Sequence, residues 1–336
     1  MDEQAVYYGS LWGSGKDRQP GRPLNVQRRF IWAGQPLYVP AVYLCAEGIV
    51  IDLCRRVDPE AIRRFADKWN LSPENDDIDL FSPAQQLQME AENPLTLDLN
   101  AVLLVDGREY PMKESSSAVW NSCFEPDADD DTAARLVRQY GLDPAFSWNL
   151  CRMCFPYTAG QELRSLSLTL REEPRPLPGP CFSTDGTQTD FVFTFPPDGT
   201  QHTLHIEEYR RETLDDTFTD ENWEYPRQFT EMIYTLTPDL DSSRFQLRDC
   251  ANGDPARRRL QPPPSPLAEK YGLLPTASHA AFVGVIGAGV SAVCTGESAP
   301  LHSACSAVHF TPPERVDWML VYDQKGADDL TVDLWN

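Results

Sequence analysis

Apolar and polar positions are patterned most clearly between residues 37 and 71, where two strand-like runs precede one helix-like run. The first run, LYVPAVYLC, is apolar at nearly every position, which is typical of a strand that is covered on both faces. Glu47-Gly48 indicates a turn, and the second run, Ile49 to Cys54, carries one carboxylate into an otherwise apolar strand. That carboxylate, Asp52, is the most unusual polar residue of the segment.

A helix is predicted to begin directly after the second strand. Asp58 can accept hydrogen bonds from the free N–H groups of a first turn, and Pro59 suits the first helical position because it lacks an N–H. Apolar side chains then recur at helical spacing as far as Trp69. We expect this helix to pack on the sheet that contains Ile49, Ile51 and Leu53, through Phe65 and Trp69.

The end of this helix recurs twice along the chain. Each copy has an aromatic residue, a residue that tolerates positive φ, a leucine, one spacer and a proline, at 69–73, 140–144 and 271–275. This pattern predicts that Asn70, Gly141 and Gly272 end helices in the left-handed conformation. Shared capping chemistry is favoured as the explanation, and descent from one repeated unit is the alternative.

The rest of the chain is rich in alternating strand patterns and turn signals. Asp106-Gly107 and Pro197-Asp198-Gly199 are typical hairpin turns. A connecting helix is predicted over 82–93, and residues 171–188 are predicted to be a loop. Strands are expected near 95–99, 101–105, 108–112, 147–157, 163–170, 191–195, 202–209, 230–236, 244–248, 306–310, 318–322 and 330–334.

These elements predict an α+β fold that is predominantly antiparallel β, sandwich-like, with three or four short helices packed on the sheets. Its 336 residues suffice for two domains, and we expect an N-terminal α+β domain over 1–160 and a C-terminal β-rich domain over 161–336. Residues 252–266 have a linker-like composition. There Arg257 to Arg259 precede QPPPSP, for which a stiff linker is favoured over a site for a proline-reading partner.

The charge of the chain excludes some partners. With 51 acidic and 29 basic residues, its formal net charge of -22 opposes binding to nucleic acid and to anionic membrane surfaces. The sequence also lacks a long apolar run and a signal-like N-terminus. We therefore expect a soluble, cytoplasmic protein whose partner, if it has one, is another protein, and the oligomeric state stays open.

The nine cysteines predict no disulfide scaffold, because several of them lie inside apolar runs. Cys151 and Cys154 form a CxxC motif, but the surrounding SWNLCRMCFPY is typical of a strand, which would point the two sulfurs to opposite faces. His202 and His205 are the obvious further ligands for a zinc ion. Both pairs would have to leave their strands to share one tetrahedral site, so we predict no metal.

Two other motifs fail for lack of context. Asp127, Asp129 and Asp131 have the spacing of a calcium loop, but Thr132 and Arg138 replace the required glycine and glutamate. The glycine-rich 285–292 resembles a dinucleotide-binding turn, but no βαβ unit surrounds it, so we predict no cofactor.

A resemblance can be stated from several segments taken together. VYLCAEGIVIDLC, VGVIGAGVSAV, HSACSAVHF and VDWMLVYDQKGADDLTVDL resemble segments of uncharacterised cytoplasmic proteins of anaerobic gut bacteria. The glycine-rich stretch of those proteins usually carries Asp-Gly-Pro, which this chain lacks. The resemblance implies a bacterial, cytoplasmic protein, and it implies no activity.

Two functions of different classes follow from the sequence. The first is a non-catalytic interaction or scaffold protein, which fits the strand-rich pattern and the acidic composition. The second is a hydrolase-like enzyme that uses Asp52 together with a histidine, for which His205, His279 and His309 are candidates.

Overall fold

The computed structural model describes residues 5–13, 18–71, 81–123, 132–158, 163–215, 222–259 and 300–335. The chain divides into two compact units, each of which combines separate stretches of sequence. Unit 1 comprises Met1–Asp76, Glu92–Arg175 and Lys325–Asn336, and unit 2 comprises Asp77–Ala91 and Pro176–Gln324. The division into domains at residue 160 stays a prediction, but these units have other bounds, because the chain returns to unit 1 after unit 2.

Unit 1 contains two antiparallel sheets. The five-stranded sheet has the order β1 (Arg22–Trp32), β2 (Gln35–Leu44), β3 (Gly48–Val57), β7 (Ser147–Pro156) and β6 (Glu114–Trp120). The four-stranded sheet has the order β18 (Leu330–Trp335), β8 (Leu166–Glu172), β4 (Leu99–Val105) and β5 (Arg108–Pro111). One apolar core joins the two sheets, and it includes the fully buried residues Ile49, Ile51, Leu53, Leu166, Leu168 and Leu170.

The helices of unit 1 are α1 (Pro59–Trp69) and α3 (Thr132–Gln139). Asp58 accepts a hydrogen bond from the N–H of Glu60 and Pro59 begins α1, as predicted. The core around Ile49, Ile51 and Leu53 is completed by the four-stranded sheet and contains no residue of α1. The packing of α1 on the sheet that contains them stays a prediction. On the opposite face of the five-stranded sheet, α3 packs through Leu136 and Val137 on Trp148 and Leu150.

Both described copies of the predicted helix end have the expected geometry. Asn70 has a φ of 51° and Gly141 a φ of 59°. The N–H of Leu71 donates to the carbonyl of Ala66, and the N–H of Leu142 donates to that of Val137, which is the Schellman arrangement. The third copy, with Gly272, lies outside the described residues.

Unit 2 is also built from sheets. One has the order β10 (Asp190–Thr194), β11 (Gln201–Thr213), β13 (Gln228–Thr237) and β16 (His302–Cys305), and a second has the order β14 (Phe245–Asp249), β17 (Val316–Gln324) and β9 (Arg175–Thr184). Strands β12 (Trp223–Glu224) and β15 (Arg257–Arg258) form a short pair. The core of this unit centres on Trp318. The predicted connecting helix is α2 (Pro83–Glu92), which packs through Leu87 on Met319 and Val321.

The fold class is confirmed, since the described residues form mainly antiparallel sheets with three short helices.

The prediction of a loop over 171–188 is wrong, because this stretch contains β9. Proline lacks an N–H for the ladder, yet β9 lies at a sheet edge, where prolines are tolerated. Residues 96–98 precede β4 and are not a strand, and β16 ends before 306–310. Among the described helices, none is long and apolar enough to cross a membrane.

Candidate functional site

The buried carboxylate of Asp52 lies in the middle of the five-stranded sheet of unit 1. It stands directly opposite Arg152 in the register of β3 and β7. Nε and Nη2 of Arg152 donate to Oδ1 and Oδ2 of Asp52, both at 2.7 Å. The side chains of Arg152 and Asp52 are only 7% and 5% exposed. Asp52 is therefore one half of a bidentate, buried ion pair.

A tyrosine completes the surroundings of this carboxylate. Tyr140 follows α3 and donates its hydroxyl to Oδ2 of Asp52, while its oxygen lies 3.2 Å from the hydroxyl of Tyr43. Burial, together with the charge of Asp52, raises the pKa of Tyr140 well above its usual value. The phenol stays protonated as a donor, so both oxygens of Asp52 accept hydrogen bonds from fixed partners.

These contacts leave Asp52 poorly arranged for catalysis. A general base needs a free lone pair directed at a substrate and, in the predicted scheme, a histidine beside it. All five histidines fall between residues 202 and 309, within unit 2, so unit 1 contains no histidine. The structure of unit 1 therefore does not join Asp52 to a histidine, and its contacts are those of a structural ion pair.

His205 lies on the surface of unit 2. It pairs with Asp190 in the register of β10 and β11, and its Nδ1 lies 2.8 Å from Oδ1 of Asp190. The hydrogen bond with Asp190 raises the pKa of His205. The pair is exposed on a strand, and no further nucleophile is hydrogen-bonded to it among the described residues.

His309 is buried and lies beside the carboxylate of Asp254. Its Nδ1 lies 3.4 Å from Oδ1 of Asp254, whose second oxygen accepts from the N–H of Phe310 at 2.7 Å. Its own backbone pairs with Gln228. The structure therefore places His205 and His309 in separate pairs with different carboxylates. His279 lies outside the described residues.

The cysteines and histidines considered for zinc do not assemble. Cys151 belongs to the core between the sheets of unit 1, whereas Cys154 belongs to a cluster on the opposite face of β7. His202 is buried and His205 is exposed on the same strand of unit 2. Within the described ranges, no group of three or more His, Cys, Asp or Glu side chains could hold a metal ion.

A groove of about 310 Å³ beside β1 of unit 1 was not predicted from the sequence. Two arginines lie over aromatic rings there: the guanidinium of Arg29 is 4.2 Å from the ring centre of Tyr38, and that of Arg56 is 4.7 Å from that of Phe146. Ile31 is 71% exposed at its rim. We call it the arginine groove, and it is lined by Arg29, Phe30, Ile31, Pro36, Leu37, Tyr38, Arg56 and Trp148.

The electrostatics of the arginine groove differ from those of the whole chain. No carboxylate is among the described residues that line it, and neither Arg29 nor Arg56 forms an ion pair with a described side chain. The signal in the sequence was the run Arg28-Arg29-Phe30-Ile31-Trp32, which combines cations with large apolar residues in a chain of net charge -22. Its position on a strand at the sheet edge was needed to see that Arg29 and Ile31 are exposed together.

Searches against protein-family models, curated proteins and solved structures found no match for this chain. The resemblance to proteins of gut bacteria stays a prediction.

Proposed function

We propose that this chain is a non-catalytic binding protein that holds an acidic, apolar-containing segment of another protein in the arginine groove. The observation that carries this proposal is a groove whose two arginines have no ion-pair partner among the described residues, whose lining includes the exposed Ile31 and aromatic rings, and which has no described carboxylate in its lining. Arginine, tyrosine and tryptophan are the residues that dominate the binding energy of protein interfaces.

The positive charge of the groove arginines indicates that the partner segment carries carboxylates. Guanidinium groups bind carboxylates through two parallel hydrogen bonds, and no acceptor in the described part of the chain is hydrogen-bonded to Arg29 or Arg56. The rim residue Ile31, with Phe30, offers an apolar surface for a leucine or an aromatic side chain of the partner. An extended segment that alternates acidic and apolar residues matches both features.

The net charge of -22 does not conflict with this local preference. At physiological salt the Debye length is about 8 Å, so distant acidic residues are largely screened while the groove arginines act at contact distance. At low salt the long-range field opposes the approach of an acidic segment, so its binding is expected at physiological salt, where the field is screened. The same field opposes nucleic acid more strongly, because nucleic acid carries a charge on every phosphate, which favours a protein as the partner.

The alternative from the sequence, a hydrolase-like enzyme that uses Asp52 with a histidine, has less support. Arg152 and Tyr140 occupy both oxygens of Asp52, and its own unit contains no histidine. The alternative would gain support if the protein turned over an ester, phosphate or peptide substrate and Asp52→Asn abolished that turnover without unfolding the protein.

The proposal is tested by selecting binders from a library of short random peptides displayed on phage, at physiological salt. We expect the selected peptides to be enriched in aspartate, glutamate and large apolar residues. The double variant Arg29→Gln, Arg56→Gln should bind a selected peptide about tenfold or more weakly, since each charged hydrogen bond contributes roughly 1.5 to 3 kcal/mol.

Arg28→Gln is the matched control, because Arg28 is exposed on the same strand but does not line the arginine groove. It should leave the affinity for the selected peptide nearly unchanged. Enrichment of lysine and arginine peptides, or equal binding by the double variant and the wild type, would contradict the proposal.

A further inference from the structure

The apolar interior of unit 1 ends in charged residues at one end of its two sheets. On β3, Ile49, Ile51 and Leu53 face the core, and the next position on that face is Arg55. On β8, Leu166, Leu168 and Leu170 face the same core, and the next position on that face is Glu172. Strands alternate strictly between faces, so Arg55 and Glu172 continue the two inner rows.

Arg55 is a buried cation without an anionic partner among the described residues. Only 6% of its surface is exposed, and Nη2 donates to the carbonyl of Pro94 at 3.1 Å. Its Nε is buried and has no hydrogen-bond partner, and it forms no ion pair with a carboxylate in the described part of the chain. Burying a guanidinium in this way is costly unless an acceptor arrives.

Glu172 and Asn149 leave acceptors unused at the same end. Oε2 of Glu172 is buried without a partner, and so is Oδ1 of Asn149, which stands opposite Arg55 on β7. Six buried side-chain polar atoms lack partners among the described residues, and three of them belong to Arg55, Asn149 and Glu172. Native proteins leave few such atoms, and each needs a physical explanation, of which a bound group is one.

Arg55 and Glu172 line one cavity of about 250 Å³, which lies entirely within unit 1. Trp32, Leu37 and Leu97 supply apolar walls, while Arg175 adds a second guanidinium and Asp98 a second carboxylate. The indole N–H of Trp32 donates to the carbonyl of Asp328 at 2.8 Å, which fixes that ring. The volume lies just below the range of about 300 to 1,000 Å³ that is typical of drug-sized ligands, so it suits a smaller molecule.

We propose that this cavity binds a small zwitterion of the α-amino acid class. The carboxylate of the ligand would accept from Arg55, its ammonium group would donate to Glu172, and an apolar side chain would lie against Trp32, Leu37 and Leu97. A ligand with one charge would satisfy only one of the two unpartnered groups. The proposal concerns a different site from the arginine groove and does not depend on it.

The test begins with a thermal-shift screen of the purified full chain against each of the genetically encoded L-amino acids at about 1 mM. We expect amino acids with apolar side chains, such as L-leucine, to raise Tm. Calorimetric titration then compares L-leucine with 4-methylpentanoate, which lacks the ammonium group, and with 3-methylbutylamine, which lacks the carboxylate. Each analogue should bind about tenfold or more weakly.

Two variants and one control assign the site. Arg55→Met and Glu172→Gln should each weaken L-leucine binding about tenfold or more. Arg171→Gln should not, because Arg171 is exposed on the outer face of β8, where it pairs with Asp329 at 3.3 Å. If Arg55→Met failed to fold, Glu172→Gln would still decide the matter. The proposal is overturned if no amino acid binds, if both analogues bind as well as L-leucine, or if Glu172→Gln has no effect.

Discussion

Asp52 on β3 and Arg152 on β7 stand directly opposite each other, and the guanidinium donates to both carboxylate oxygens at 2.7 Å. Each charge neutralises the other at a place where water has little access. Arg55 lies on the same strand as Asp52 but on the other face, and no described carboxylate pairs with it. Among the described residues of unit 1, one buried arginine therefore has a carboxylate partner and one does not.

The matched arginine should be essential for stability. Arg152→Met leaves the carboxylate of Asp52 buried without its cation, which typically lowers the free energy of unfolding by about 3 to 5 kcal/mol. Urea denaturation followed by circular dichroism measures this loss. Arg55→Met is the matched control, and it should leave the free energy of unfolding unchanged or raise it, because it removes an unpaired buried charge. Equal losses in the two variants would contradict this assignment.

The pair of His205 and Asp190 should titrate as a unit on the surface of unit 2. The hydrogen bond raises the pKa of His205 above its usual 6.5 and, together with a bond from Thr189, lowers the pKa of Asp190 below its usual 3.8. A raised pKa means that the contribution of His205 to stability is complete below 6.5 and is lost as pH rises through the folded-state value. The contribution of Asp190 is present above 3.8 and is lost as pH falls.

Both contributions are present together between these two usual values. NMR titration of the imidazole in the wild type and in Asp190→Asn measures the effect directly. The variant should return the pKa of His205 toward its usual value, and an unchanged pKa would show that the hydrogen bond does not form in solution.

The CxxC cysteines should be unreactive in the folded protein. Burial raises the pKa of Cys151 to about 12 and that of Cys154 to about 11, so the thiolate that reacts with alkylating agents is scarce near pH 8. Cys181 is exposed and serves as the internal control. We expect iodoacetamide labelling, followed by mass spectrometry, to modify Cys181 first and to reach Cys151 and Cys154 only after urea is added. Early labelling of Cys151 and Cys154 would contradict this prediction and would support a redox role for the pair.

Gly141 should be required for its backbone conformation alone. Its φ is 59°, and an added Cβ would meet no atom within 4 Å, so Gly141→Ala tests backbone strain without a clash. We expect a loss of about 1 to 2 kcal/mol in the free energy of unfolding, measured by urea denaturation. Asn70→Gly is the reciprocal control at the end of α1, where glycine relieves the same strain. A loss in Asn70→Gly as large as in Gly141→Ala would contradict this reading.

Features that depend on neighbours in sequence were predictable. The cap at Asp58, the hairpin turn at Asp106-Gly107, where both residues have positive φ, and the left-handed ends at Asn70 and Gly141 all follow local rules. The layer that covers each sheet face was not predictable, because an apolar strand packs equally well on a helix or on another sheet. Strand β9 was missed because its prolines indicate a loop unless its place at an edge is known.

In the candidate sites, too, local features were predictable from the sequence and contacts between distant residues were not. Asp52 was recognisable as an unusual carboxylate, but its partner Arg152 lies between the two cysteines of the CxxC motif, and only the register of β3 and β7 pairs them. Arg55 lies just beyond the strand predicted over Ile49 to Cys54, so its burial was not predicted from the sequence. Arg55 is buried because β3 continues to Val57.

The order of the two units along the chain also determines when each unit is completed during synthesis. Strand β18, which pairs with β8 in the four-stranded sheet of unit 1, is separated from it by all of residues 176–324. At about 5 to 20 residues per second, a ribosome needs roughly 7 to 30 s to make that stretch. If β8 pairs with β4 during that time, its other edge still lacks β18 and is open to pairing with strands of other chains. The unit whose synthesis starts first is the one that is completed last.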